Sequence, residues 1–239
     1  MARRITAHRL TRSLLTSALA LGATIAFASA PAQAAAWSTC DRWGSTSLNG
    51  YTLYNNIWGS GAGSQCTWAN SGSSWGTWAA HPNTGGIKAY PNSTKDVNRT
   101  LSGLASLSSS YNVSVPSAGA YNSSYDIWDA AHKYEIMLWV NKTGPVGPIG
   151  TLQGSVSLEG HSWDVYKGSN GSNQVFSFLR TSNSSSGTVD ILPILRWIAN
   201  TKGWMPSDEL IGTVQFGFEI TSAAGGLNFT ANNVTVSSS

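Results

Sequence analysis

Eleven short runs with strand character follow one another between residues 50 and 236, each bounded by Gly, Ser, Asn or Pro clusters. They read GYTLYNNIW, SSWGTWAA, GIKAYP, YNVSV, SYDIWD, YEIMLWV, TLQGSVSL, HSWDVYKG, NQVFSFLR, GTVQFGFEI and LNFTANNVTV. Many short strands at such spacing, with turn residues between them, fold as a sandwich or barrel rather than as alternating β/α units. One segment alone has helical period: Ile191, Ile194, Leu195 and Ile198 fall at i, i+3, i+4 and i+7, with Asp190 placed to cap the start and Gly203 to end it. The expected architecture is all-β, a β-jelly-roll sandwich of two antiparallel sheets carrying one α-helix.

The N-terminus has a different character. Arg3, Arg4, Arg9 and Arg12 precede the apolar run LLTSALALGATIAFASA and the small-residue site Ala32-Gln33-Ala34. That order is the signature of a secretory signal peptide, here residues 1–34, followed by a single catalytic-size domain over residues 35–239. Export places the mature chain outside the cell. Four of the 14 basic residues belong to the leader, so ten remain against 11 acidic residues, a net charge of −1. The basic pI of the whole chain therefore describes the leader, and no basic surface is left to hold nucleic acid or an anionic membrane. The two cysteines, Cys40 and Cys66, are expected to form a disulfide in an exported chain.

Two of the apolar runs carry a glutamate where a strand would normally be plain packing. In YEIMLWV, period two puts Ile136, Leu138 and Val140 on one face and Glu135, Met137 and Trp139 on the other. QFGFEI repeats the plan, with Phe216, Phe218 and Ile220 opposite Gln215, Gly217 and Glu219. The chain has only four glutamates, and Glu159 and Glu209 sit in ordinary loop contexts. Desolvating a carboxylate is costly, so two of them set into buried strands point to chemistry rather than to packing.

All 11 tryptophans lie beyond the leader. Several stand beside polar residues, among them Trp58 after Asn55 and Asn56, Trp75 and Trp78 around Gly76, and Trp163 between Ser162 and Asp164. Flat indoles next to amides and carboxylates suit sugar rings, which have apolar C–H faces and a hydroxyl rim. Trp197 and Trp68 read as core, and Trp58 reads as a platform. Paired carboxylates in an aromatic groove are the apparatus of glycoside hydrolysis.

The ordered runs NNIWG, SYDIWD, YEIMLWVN, GPIG and QFGFEI, with the early cysteine pair, resemble glycoside hydrolase family 12, from Cys40 to about Val236. The resemblance implies a secreted jelly-roll endoglucanase that cleaves β-1,4-glucans with retention of configuration and without cofactor or metal. It implies Glu135 as nucleophile, Glu219 as general acid/base, and Asp126 as the aspartate hydrogen-bonded to the nucleophile. Met137 would lie under the reactive sugar, with Asn56, Trp58 and Asn170 binding glucose units; His81, in the loop AHPNTGG, is expected at the cleft. Cys40 and Cys66 match the family disulfide. The expected partner is a β-glucan polysaccharide, met by a monomer.

Two departures concern the ends of the cleft: Ile220 and Thr221 follow Glu219 where many relatives have proline, and Asp126 and Glu135 are separated by only a short stretch. Alternative readings are a xyloglucan-specific endoglucanase or an endo-xylanase of related fold, and, in another class, a non-catalytic lectin-like module. No HExxH or phosphate-binding glycine loop occurs. His132 precedes Glu135 by three residues, on the opposite strand face and without a third ligand, which argues against a metal site there.

Overall fold

The computed structural model describes residues 34–239, and the expected leader, apart from Ala34, lies outside the described residues. Fifteen strands form two sheets: β1 (Trp37–Thr39), β2 (Ser45–Leu48), β3 (Tyr51–Tyr54), β4 (Ser64–Ala69), β5 (Trp75–Ala80), β6 (Asn92–Thr100), β7 (Leu107–Ser114), β8 (Ala120–Asp129), β9 (Tyr134–Thr143), β10 (Thr151–Leu158), β11 (His161–Ser169), β12 (Gln174–Arg180), β13 (Ser186–Asp190), β14 (Leu210–Ser222) and β15 (Leu227–Ser238). The six-stranded sheet runs β1-β4-β5-β15-β7-β13, and the nine-stranded sheet runs β10-β11-β12-β9-β8-β14-β6-β3-β2. The all-β sandwich expected from the sequence is what the chain adopts. One detail differs. Every pairing is antiparallel except β9 with β12, which run parallel with Val175 opposite Glu135.

Strand alternation builds the core as the two glutamate runs foretell. Ile136, Leu138 and Val140 of β9 and Phe216, Phe218 and Ile220 of β14 face the six-stranded sheet, where they meet Tyr111 of β7 and Phe229 of β15. Phe216 and Phe218 are 1% and 0% exposed. Full burial of each such side chain contributes about 1.5–3 kcal/mol, enough for the strand to hold while its opposite face desolvates a carboxylate. A second, smaller cluster of Met137, Trp139, Val175 and Leu179 lies on the other side of the nine-stranded sheet, beneath the outer face.

The helical segment is shorter than its sequence period. An α-helix, α1 (Ile191–Arg196), passes into a wider π turn over Trp197–Thr201. Asp190 stands at the cap position without donating or accepting a side-chain cap hydrogen bond. Gly203, at φ 64°, ends the segment as expected. GIKAYP is not a strand; only an isolated bridge joins Ala89 to Ile220. The run nevertheless matters, because it carries Tyr90 to the edge of the site.

Cys40 and Cys66 are joined, tying β4 to the segment after β1 across a separation of 26 residues. On the chain-entropy model a loop of this length contributes about 3.5 kcal/mol. Replacing both cysteines by serine should lower the unfolding free energy by about that value and raise the slope m, because the uncrosslinked denatured chain exposes more surface; equilibrium urea unfolding measures both.

Candidate active site

A cleft of about 590 Å³ opens on the outer face of the nine-stranded sheet, and Asn56, Trp58, Tyr90, Asp126, Glu135, Met137, Asn170 and Glu219 all line it. Three adjacent strands supply the carboxylates. β8 runs between β9 and β14, with Asp126 opposite Met137 on one side and Gln215 on the other. Glu135 stands opposite Trp128, and Glu219 opposite Asn122. Asn122, Asp126 and Trp128 share one face of β8 by period two, so the row between the two glutamates is set by strand geometry alone.

Glu135 opens β9 directly after a tight hairpin. Asp129 fixes that hairpin by accepting hydrogen bonds from the Ala131 and Tyr134 N–H groups at 2.9 and 2.6 Å. One oxygen of Glu135 accepts from Asn173 Nδ2 at 3.0 Å. The parallel β9–β12 pair explains the contact, since it brings the start of β12 beside the start of β9; Gln174 N–H donates to the Lys133 carbonyl at 2.8 Å. Burial holds the Glu135 carboxyl above the usual glutamate range, and the Asn173 hydrogen bond pulls it back down.

Glu219 has a different environment. It is more deeply enclosed, and Asn122 Nδ2 donates to its Oε2 at 2.6 Å. Burial pushes its carboxyl up to about 7; Asn122 opposes the shift and the charge of Glu135 adds to it. Asp126 is 6% exposed, and its Oδ1 has no hydrogen-bond partner among the described residues. Its carboxyl is raised well above the aspartate range by burial first, then by the charges of Glu135 and Glu219, with the Trp128 side chain opposing.

Around these groups stand the sugar-sized contacts. Trp58 is 47% exposed at the rim. Asn56, held at φ 42°, exchanges hydrogen bonds with Tyr90: its Nδ2 donates to the Tyr90 carbonyl at 3.1 Å, and Tyr90 N–H donates to the Asn56 carbonyl at 3.0 Å. Met137 is buried beneath the cleft at 6% exposure. Trp128 carries the His132 ring against it, with centroids 5.2 Å apart.

One expectation changes, and a second gains a detail. His81 does not reach the cleft: it is fully buried, its Nδ1 accepts from Gly63 N–H at 3.0 Å and its Nε2 pairs with Gln65 Oε1 at 2.9 Å. Burial, with the charge of Lys88 adding, lowers its pKa to about 4, so it is a neutral strut beneath β3 and β4. Asn170 lines the cleft, but its Oδ1 accepts from the Ser172 and Asn173 N–H groups at 2.9 and 3.0 Å. Asn170 thus shapes the turn, and Asn173 is the amide that meets a carboxylate. Among the tryptophans, Trp75 and Trp163 are fully buried core, while Trp78 is exposed on the other sheet.

Asn122, Asn173, Tyr90, Trp128 and Gln215 were not singled out from the sequence. For Asn122 a signal existed, because it precedes Asp126 by four residues on the same strand face. The two amides act on different limbs of the pH profile. Asn173→Ala removes a donor to ionised Glu135, raises its pKa and should move the acid limb of kcat/KM to higher pH. Asn122→Ala raises the pKa of Glu219 and should move the alkaline limb to higher pH. A pH–rate profile of each variant checks both signs.

Two glutamates in unlike environments, facing one aromatic-rimmed groove on a β-sandwich, define an enzyme that cleaves glycosidic bonds. The model of glycosyl hydrolase family 12 matches residues 49–238, and the chain belongs to this family. It is 34% identical over 199 residues to a probable xyloglucan-specific endo-beta-1,4-glucanase A of Aspergillus terreus, covering 75% of this chain and 79% of that protein. It is 32% identical over 218 residues to endoglucanase S of Pectobacterium parmentieri, covering 79% and 82%. Among solved structures, the xyloglucanase domain of NopAA, a type three effector from Sinorhizobium fredii in complex with cellobiose, is similar with a TM-score of 0.82 at 40% identity, covering 85% of this chain and 99% of that one. The chain is a glycoside hydrolase of the endoglucanase and xyloglucanase group.

Proposed function

We propose that this enzyme cuts internal β-1,4 bonds of soluble or amorphous β-glucans by a retaining double displacement, with Glu135 as nucleophile and Glu219 as acid/base. The observation that carries this reading is the difference between the two glutamates within one cleft. Glu135 lies beside the Asn173 donor, and Glu219, raised to about 7, keeps a proton at working pH. In the first step an oxygen of ionised Glu135 bonds to the anomeric carbon while the glycosidic bond breaks and the leaving oxygen takes the proton of Glu219. Asp126, on the strand between the two glutamates, is the group placed to orient Glu135. Esterification removes the negative charge of Glu135, so the Glu219 pKa falls and its carboxylate can take a proton from water. That water attacks the same carbon and Glu135 departs, restoring the starting β configuration.

Xyloglucan is the second substrate reading, favoured by the relatives named above, two of which are described as acting on it. The leader supports export, with hydrolysis outside the cell. The test is reducing-end release by residues 35–239 on carboxymethyl cellulose, mixed-linkage β-glucan, xyloglucan and xylan, with the first product anomer followed by proton NMR. Activity on a glucan giving the β anomer is expected. An α anomer would overturn the nucleophile assignment, and silence on every polymer with binding retained would leave a lectin-like module.

A further inference from the structure

Charge is distributed between the two sheets in an unusual way. The strands of the nine-stranded sheet hold Lys95, Asp96, Arg99, Lys142, Lys167 and Arg180 as well as the cleft carboxylates. The six strands of the other sheet contain no Lys, Arg, Glu or His, and a single Asp, Asp190. Protein surfaces ordinarily interleave both signs of charge for solubility, so a whole sheet face without them calls for a reason.

What the face carries instead is ordered. Ser108, Ser110, Asn112 and Ser114 alternate outward along β7, opposite Ser237, Thr235, Asn233 and Thr230 of β15. Thr188 and Asp190 of β13 extend the rows of Ser110 and Ser108. Neighbours hold one another flat across the strands: Ser110 Oγ and Thr235 Oγ1 lie 2.7 Å apart, and Asn232 Nδ2 donates to Asn112 Oδ1 at 2.8 Å. A groove of about 310 Å³ lies at one end, lined by Ser108, Ser110, Thr188, Asp190, Thr235 and Ser237 among others. At the other end are two indoles. Trp78, 39% exposed, lies against Gly226, where an added Cβ would come within 2.9 Å of its ring. Trp68 lies against Gly76, where an added Cβ would meet its ring at 2.6 Å. With Trp68 opposite Gly76 and Trp78 opposite Cys66, the two rings are diagonal neighbours on β4 and β5.

The geometry points to a second polysaccharide-binding surface, on the outer face of the six-stranded sheet and so on the side of the sandwich away from the cleft, that takes a neutral, extended glucan chain. Indoles seated on glycines offer flat apolar faces, and the Ser, Thr and Asn rows offer donors and acceptors to a hydroxylated ligand. Charge decides among ligands. A polyanion would meet no cation and one carboxylate, whereas a neutral polymer meets no uncompensated charge. A protein partner would be expected to cover an apolar, Arg- and aromatic-rich patch rather than rows of hydroxyls. The outward positions of β15 from Asn228 to Ser237 span roughly 30 Å at ~3.3 Å per residue, which suits several linked sugars rather than one. Holding the polymer at the back of the enzyme raises the concentration of chain available to the cleft.

The identity of the polymer as a glucan rests on the proposed function; the surface itself does not. The test uses Glu135→Gln protein in a native gel cast with xyloglucan or mixed-linkage β-glucan, with cellotetraose added at a concentration that fills the cleft. Retardation should persist under cellotetraose. It should weaken several-fold in Trp78→Ala and in Thr235→Lys, the latter a change on the outer face of the sheet, pointing away from the core. Loss of all retardation on adding cellotetraose would leave the cleft as the sole binding site and overturn the proposal. Retardation equal to the parent in both variants would overturn it too, as would a change in oligomeric state on Trp78→Ala, which would make the face a contact between copies. Hydrolysis of the polymers by the parent enzyme reads the proposed function separately.

Discussion

Glu135→Gln is expected to remove turnover almost completely, lowering kcat on β-glucan on the order of 10⁴–10⁶-fold, as loss of a covalent nucleophile does. Fold should survive, because the change keeps the volume and replaces one polar group by another at the same site. Asn173 Nδ2 now donates to an amide oxygen instead of a carboxylate oxygen. Asp126 responds as well. The charge of Glu135 is one of the causes that raise its carboxyl, so removal of that charge should let the Asp126 pKa fall. Initial-rate measurement on the polymer, with a melting curve as control, makes the test: a folded Gln variant that retains even a hundredth of parental kcat would displace Glu135 from the nucleophile role. A short external nucleophile such as azide should restore some cleavage in the smaller Glu135→Ala variant, with the α-glycosyl azide as product, because it attacks from the face the carboxylate vacates.

What could be read in the chain before folding, and what could not, follows from how each feature is encoded. β9 and β14 are legible since period two separates Ile136, Leu138, Phe216 and Phe218 from the two glutamates, and that same separation marks the site. β6, NSTKDVNRT, is not legible as a strand, because its polar composition hides the burial of Asn92, Ser93 and Thr94. β1, β2, β4 and β13 lack a sustained apolar face and depend on their neighbours for pairing. Asn173 could not be found from spacing, because its contact with Glu135 exists through the parallel β9–β12 pair, and no short motif announces strand direction. His81 misled for a related reason. Its loop setting, AHPNTGG, suggested the cleft rim, but the buried amides of Asn55 and Gln65 draw the ring inward, where it completes their hydrogen bonds.

Glu219→Gln should separate the two halves of the reaction. Proton donation to the leaving oxygen contributes typically 10²–10⁴-fold, so cleavage of unactivated glucan should fall by about that factor. An aryl glycoside whose phenol departs without protonation should form the Glu135 ester at near the parental rate, then stall, since no carboxylate remains to take the proton of the attacking water. A burst of phenol followed by a slow steady state is the expected trace, and its absence would place the acid/base elsewhere. The pH profile supplies the independent check. In the parent, glycosylation needs Glu135 ionised and Glu219 protonated, so kcat/KM on unactivated glucan should decline as pH rises through about 7, the value to which burial lifts Glu219. In Glu219→Gln that alkaline limb has no group left to produce it and should disappear, while the acid limb, set by Glu135, should shift down in pH if it moves at all, because Glu135 is no longer coupled to a second titrating carboxyl on β14. Loss of the limb together with the burst assigns both proton transfers to one side chain.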